Sequence, residues 1–303
     1  MINYRAFWCL LSGFLTFSMI NLAGVKISKM KKILLAFDGA HFSEGAFEFA
    51  RKLNELSPVQ LTGVFLPQID YSNLWSYSTG VSGPLFIPLL EDMDVATIEK
   101  NIDQFVFLCQ LNGIDFKVHK DFSDFALPAL KKETRFADLL ILDGESFYKN
   151  VGIHEPDDYL QDALHDAECP VLIVPEKFEF PENNILAYDG SESSVYAIKQ
   201  FTYMFPEFTA NNTVLVYAHA DGDTEFPDEN LIEELCTRHF TDLTLFKLDI
   251  NPKKYFALWT GEKKGAILVS GAFGRSSFSQ LFKKSFVSDV IREHKLPVFI
   301  THH

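Results

Sequence analysis

Residues 271–285 hold the spacing with the clearest chemical meaning in this chain. Gly271-Ala272-Phe273-Gly274 is followed by nine residues and then Lys284-Ser285. The apolar run Ala266-Ile267-Leu268-Val269 precedes it, and a helix-like pattern follows. A strand, a glycine loop and a helix start make an anion site. Glycine lets the backbone approach an oxyanion closely, and the first N–H groups of a helix point outward without intrahelical partners. A second signal, Tyr188-Asp189-Gly190-Ser191, ends another apolar run. Its carboxylate could meet a ligand, and Asp-Gly-Ser after a strand equally makes an ordinary turn and helix cap.

Local charge supports the first of these two segments. Arg275, Lys283, Lys284, Arg292 and Lys295 stand against Asp289 and Glu293. The stretch at the matching point earlier in the chain, 145–168, carries Glu145, Glu155, Asp157, Asp158, Asp162, Asp166 and Glu168 against Lys149. A phosphate would be repelled there; the cluster could take a cation, but without a loop of fixed ligand spacing it reads as a solvated helix face. Lys284 has two readings. Its stem obstructs close backbone approach, and its ammonium can pair with phosphate.

No catalytic residue is assigned. There is no Ser/His/Asp arrangement, no Walker lysine loop and no GxSxG motif. No metal site is assigned either, since no cysteine and no histidine has ligand spacing except the terminal His302-His303, which reads as a frayed end. A formal charge of −14 over 303 residues argues against nucleic-acid binding. Cys9, Cys109, Cys169 and Cys236 are far apart and lack CxxC spacing, and Cys109, Cys169 and Cys236, in apolar contexts, read as buried thiols, which fits a reducing compartment, the cytoplasm.

The elements that must position these residues occur twice. Ile33-Leu34-Leu35-Ala36-Phe37-Asp38-Gly39 returns as Ile185-Leu186-Ala187-Tyr188-Asp189-Gly190. Leu139-Leu140-Ile141-Leu142-Asp143-Gly144 returns as Ile267-Leu268-Val269-Ser270-Gly271. Cys169-Pro170-Val171-Leu172-Ile173-Val174 returns as Leu296-Pro297-Val298-Phe299-Ile300-Thr301. Each copy offers five short apolar runs separated by helical patterns, such as the stripe Ala46, Phe47, Ala50 and Leu53. Such runs build a parallel sheet covered on both faces. The fold class is therefore α/β: two tandem doubly wound domains, each with a five-stranded parallel sheet, packed against each other rather than sharing one sheet. The break falls near 175–181, giving domains 30–177 and 178–303. Residues 70–92 form a long loop that could lid a site or cover an interface.

Residues 1–29 are set apart as an apolar extension that is not part of the fold. Ala6 to Val25 is near the minimum length of a membrane span and is interrupted by Ser12, Thr16, Ser18 and Asn21. The reading is an upstream extension to a protein starting at Met30. A membrane anchor is the alternative.

From Met30 onward the chain resembles the universal stress protein family. The resemblance rests on the strand-end Asp189, the late glycine loop and the final Pro297-Val298 strand. The family's phosphate motif is Gly, two residues, Gly, nine residues, Gly, then Ser or Thr, and Lys284 stands where the third Gly is expected. The resemblance implies a tandem, adenine nucleotide alpha hydrolase-like fold. It implies a stress-response regulatory or protective module, and ATP or another adenine nucleotide bound in the second domain. Ala187 and Asp189 would border the adenosine, and Ala220 the base. Gly271, Gly274 and Ser285 would hold phosphates, with Arg275 and Lys284 beside them. Mg2+ is left open, as is a homodimer or protein partner. The rival readings are an intramolecular pseudo-dimer that binds partners and no nucleotide, and a nucleotide-hydrolysing α/β enzyme.

Overall fold

The computed structural model describes residues 30–37, 41–66, 92–120, 126–144, 163–219, 226–249, 258–271 and 296–301. Five strands come from the first half: β1 (Lys31–Phe37), β2 (Val59–Phe65), β3 (Asp115–Lys120), β4 (Leu139–Asp143) and β5 (Val171–Val174). Five come from the second: β6 (Asn183–Tyr188), β7 (Asn212–His219), β8 (Asp242–Asp249), β9 (Ala266–Gly271) and β10 (Val298–Thr301). The helices between them are α1 (Glu44–Leu56), α2 (Asp92–Leu111), α3 (Ala126–Thr134), α4 (Glu192–Met204) and α5 (Glu229–His239). Residues 1–29 and the 70–91 part of the long loop lie outside the described residues. Among the described residues, no helix is long and apolar enough to cross a membrane.

The central strands are buried along their whole apolar length, as Leu139–Asp143 and Val171–Val174 show. Edge strand β3 has no fully buried residue. This is the burial expected of a parallel sheet with helices on both faces and solvated edges. Helix α1 begins where the Ser43 hydroxyl accepts from the Ala46 N–H at 3.1 Å, and it buries Ala46, Phe47, Phe49, Ala50 and Leu53. Helix α4 repeats the device with Ser191 as cap and buries Ala197, Ile198 and Phe201.

The sheet order is β3-β2-β1-β4-β5-β10-β9-β6-β7-β8. Each half thus supplies five parallel strands, as the sequence implies. The two sets nevertheless do not pack as separate sheets. β5 and β10 pair antiparallel, Leu172 opposite Phe299, and make one ten-stranded sheet. The reason lies in these two strands, which are entirely buried. An unpaired apolar edge would leave its N–H and C=O groups without partners, and edge-to-edge pairing satisfies both at once.

Aromatic side chains weld the joint. Phe49 of α1 contacts Phe178 and Phe180 at ring distances of 5.4 and 5.2 Å, and Phe180 contacts Phe208 at 5.7 Å. Phe205 and Phe201 then reach Phe299 of β10. Lys31 and Glu207 add an ion pair at 3.4 Å. The proline-interrupted stretch 175–181 is therefore packed between the halves through its phenylalanines.

Candidate functional site

The strand order reverses between β6 and β9, and ligands of doubly wound sheets bind outside the carboxyl ends of such strands. Leu186 pairs with Val269, which brings Tyr188 and Gly271 level two residues later. Beyond Tyr188 the chain turns sharply. An Asp189 Oδ1 accepts from the Ser191 N–H at 2.9 Å, and Gly190 takes φ 81°, a left-handed value that glycine adopts without steric cost. Ser191 then caps α4 by accepting from the Ser194 N–H at 3.2 Å. The turn-and-cap reading of Asp-Gly-Ser is thus realised. It uses one carboxylate oxygen of Asp189. The other has no partner among the described residues, and the side chain is exposed.

Gly271 has a packing role as well. A β-carbon there would lie 2.3 Å from the Ser193 carbonyl oxygen and 2.7 Å from the Ser194 nitrogen. The first turn of α4 therefore sits directly on the end of β9. On this same side Tyr188 donates its hydroxyl to the Pro227 carbonyl at 2.9 Å. Phe226 stacks on Tyr188 at 5.5 Å and contacts Tyr217 at the same distance. Burial, with the charges of Asp228 and Asp189, pushes the Tyr188 hydroxyl above its ordinary pKa, so it remains a donor at neutral pH. A cleft of about 370 Å³ runs from Gly190 and Ser191 between α4 and α5 to Leu231 and Leu235. Ala187 belongs to the opposite face, where it is buried with Ile185 and Val216.

The first half closes the same arrangement with its own atoms. Leu34 pairs with Leu140, and Ile185 pairs with Leu268. Matching Asp38 to Asp189 sets Leu34 on Ile185, so Asp143 occupies the position of Gly271. Asp143 is buried. The Glu176 carboxylate lies on the start of α1. It accepts from the Ser43 hydroxyl at 2.9 Å, the Glu44 N–H at 3.0 Å and the Gly45 N–H at 3.3 Å. Gly45 permits this approach, because a β-carbon there would meet the Pro175 oxygen at 2.4 Å. The end of α1 that would attract an anion already holds one.

The described residues bring Ala187, Asp189 and Gly271 to the carboxyl ends of β6 and β9, with Ala187 on the face away from α4. Ala220, Gly274, Arg275, Lys284 and Ser285 lie outside the described residues. Of the acidic stretch in the first half, Asp166 pairs with Lys131 at 3.3 Å and Glu168 with Arg135 at 2.7 Å. Sequence reasoning missed Glu176, Ser193 and Pro227. The repeated Ser-Glu pairs at 43–44 and 191–192 were the available signal for two matched helix starts. Nothing local in sequence marks a carboxylate that acts across 133 residues.

No family model matches the sequence, and no curated protein matches it significantly. Solved structures do match. A universal stress protein from Archaeoglobus fulgidus DSM 4304 superposes with a TM-score of 0.65 at 16% identity, covering 90% of this chain and 96% of that one. A Pseudomonas aeruginosa UCBPP-PA14 protein assigned as a universal stress protein gives 0.51 at 11% identity, covering 91% and 94%. Identities this low show the fold alone. The chain has the mixed α/β fold of the universal stress proteins, built on a large, mostly parallel sheet.

Proposed function

We propose that this chain is a universal stress protein-like regulatory or protective module of two tandem halves, 30–177 and 178–303, whose second half binds ATP or a related adenine nucleotide. The observation that carries the reading is the exposed Asp189 at the carboxyl end of β6. Its spare oxygen is a ready acceptor for ribose or base hydrogens, in the place where doubly wound sheets take ligands. Phe226 and Pro227 cover the α5 side of Tyr188, which favours a nucleotide lying on the Ala187 face. Ala187, Asp189 and Ala220 would border the adenosine. Gly271, Gly274 and Ser285 would meet phosphates, and Arg275 and Lys284 would supply charge. The first half takes no part, because its matching stretch 145–168 is acidic and Gly144-Glu145-Ser146-Phe147 lacks the second glycine of the loop. Free thiols at Cys109, Cys169 and Cys236 suit a cytoplasmic setting.

The β5–β10 seam favours a second reading, an interaction protein built as an internal pseudo-dimer with no ligand. Two measurements on the full chain separate them. Mass analysis of small molecules released from protein purified without added nucleotide should find an adenine nucleotide, and calorimetric titration with ATP should show saturable binding. Silence in both leaves the pseudo-dimer.

A further inference from the structure

A second pocket lies at the opposite ends of the strands. It has a volume of about 330 Å³ and is lined by Lys177, Phe178, Glu179, Lys263, Lys264 and Leu296 among others. Gly265 and Ala266 open β9, and Pro297 precedes β10, so the pocket sits at the amino ends of these parallel strands. The six residues of β9 separate it from the Asp189–Gly271 crevice by about 17 Å at the usual strand rise.

Its charge is unlike that of the molecule. Among its described lining residues, three lysines stand against the one carboxylate of Glu179, in a chain whose formal charge is −14. No ion pair joins Glu179 to them among the described residues, and its Oε2 lies 3.7 Å from where a β-carbon on Gly265 would be. Neither Lys177 nor Lys264 has a side-chain partner among the described residues. Lys263 rests over the Trp259 ring at 5.1 Å, and Trp259 stacks on Phe246 at 6.0 Å. Like charges gathered in a concave site repel one another and concentrate counter-ions, and lysine is a common point-charge partner for phosphate. Buried Leu296 and half-buried Phe178 provide an apolar floor. The volume is at the small end of the range typical of ligand pockets.

We propose that this pocket binds a small oxyanion carrying two or more charges, of phosphate or carboxylate type, held by Lys177, Lys263 and Lys264. The site is independent of the nucleotide crevice. Trp259 serves as its reporter, because a ligand that draws Lys263 off the ring changes the indole's surroundings. The full chain carrying Trp8→Phe and Trp75→Phe leaves Trp259 as its one tryptophan. Titration with inorganic pyrophosphate should give a saturable change in emission, with a matching calorimetric isotherm. The double change Lys177→Gln/Lys264→Gln should weaken that binding at least about tenfold while leaving the thermal midpoint unchanged, since both side chains are exposed. Gly274→Val should leave it intact. The proposal is overturned if neither readout saturates, or if the lysine changes have no effect. It is overturned equally if sodium chloride at matched ionic strength reproduces the response, an adventitious ion only, or if Gly274→Val abolishes it, which would move the anion to the other end of the sheet.

Discussion

The Ser193 carbonyl oxygen lies 2.3 Å from where a β-carbon on Gly271 would stand. Backbone cannot yield as a flexible side-chain tip can, so Gly271→Ala must displace the first turn of α4. That helix buries Ala197, Ile198 and Phe201. The expected loss is about 1–3 kcal/mol, the usual scale for overpacking, read as a lower urea midpoint. A loss near zero would mean that α4 does not rest on β9 as described.

The strands themselves were legible in the sequence. Runs such as Leu139–Leu142 and Val298–Ile300 have no polar interruption, so their burial on both faces follows directly. The join between β5 and β10 was not legible. An all-apolar strand looks the same whether a helix covers its edge or another strand pairs with it. The site was half legible. Asp189 could be read either as a ligand contact or as a turn former, and the Ser191 N–H bond shows that it is a turn former with an oxygen to spare. That Asp143 matches Gly271 emerges only from strand register, because the apolar runs alone do not fix which residues pair.

Glu176 links the end of β5 to the start of α1 through three donors. Glu176→Ala should cost about 1–3 kcal/mol, because it strips a cap and leaves helix N–H groups without their charged acceptor. Glu176→Gln should cost less, since an amide oxygen can still accept. Thermal unfolding of both variants tests the order. Equal midpoints for Ala, Gln and the parent would remove Glu176 from the account of why the first half is closed.

The seam predicts how the halves behave apart. Residues 31–177 expressed alone would end their sheet on β5, whose apolar edge then has no β10 to pair with. This fragment should dimerise or aggregate. Light scattering reports the outcome. A monodisperse monomer from the fragment would show that the seam is dispensable.

The three described cysteines should be inert in the folded protein. Burial pushes each thiol up to about 12 for Cys109, Cys169 and Cys236, with the Asp138 charge adding to the effect at Cys169. The thiolate is the nucleophile, so Ellman's reagent at pH 8 should react with these positions only after denaturant is added. The sign of the linked stability follows from the same shift. Unfolded thiols lose their protons near pH 8.5 while folded ones keep theirs, so the unfolded state binds fewer protons as pH rises. Their contribution is full below about pH 8.5 and is lost progressively towards pH 12. Rapid labelling of Cys109, Cys169 or Cys236 in the native chain at pH 8, located by peptide mapping, would contradict the burial of these side chains.

The nucleotide reading stands or falls on where substitution matters. ATP should bind through the second half, where Gly274 and Ser285 continue the glycine spacing beside Arg275, Lys283 and Lys284. Gly274→Val should abolish binding, because a branched side chain blocks close backbone approach and forbids left-handed conformations. Gly271→Ala is a poor substitute for this test, since the contact with Ser193 makes its structural cost unavoidable. Ser285→Ala should weaken binding by about 1 kcal/mol, or more if the bond is to charged phosphate. Asp189→Asn keeps an acceptor for the Ser191 N–H while removing the charge of the spare oxygen, so it should lower affinity without unfolding the turn. Lys284→Gly separates obstruction from attraction. Tighter binding means that the lysine stem stands in the way of a phosphate loop, and weaker binding means that its charge is needed. Gly144→Val should leave affinity unchanged, because the matching stretch of the first half is acidic and lacks the second glycine. Calorimetric titration of the set decides the matter. Loss of ATP binding on Gly144→Val but not on Gly274→Val would place the nucleotide in the wrong half for this reading and overturn it.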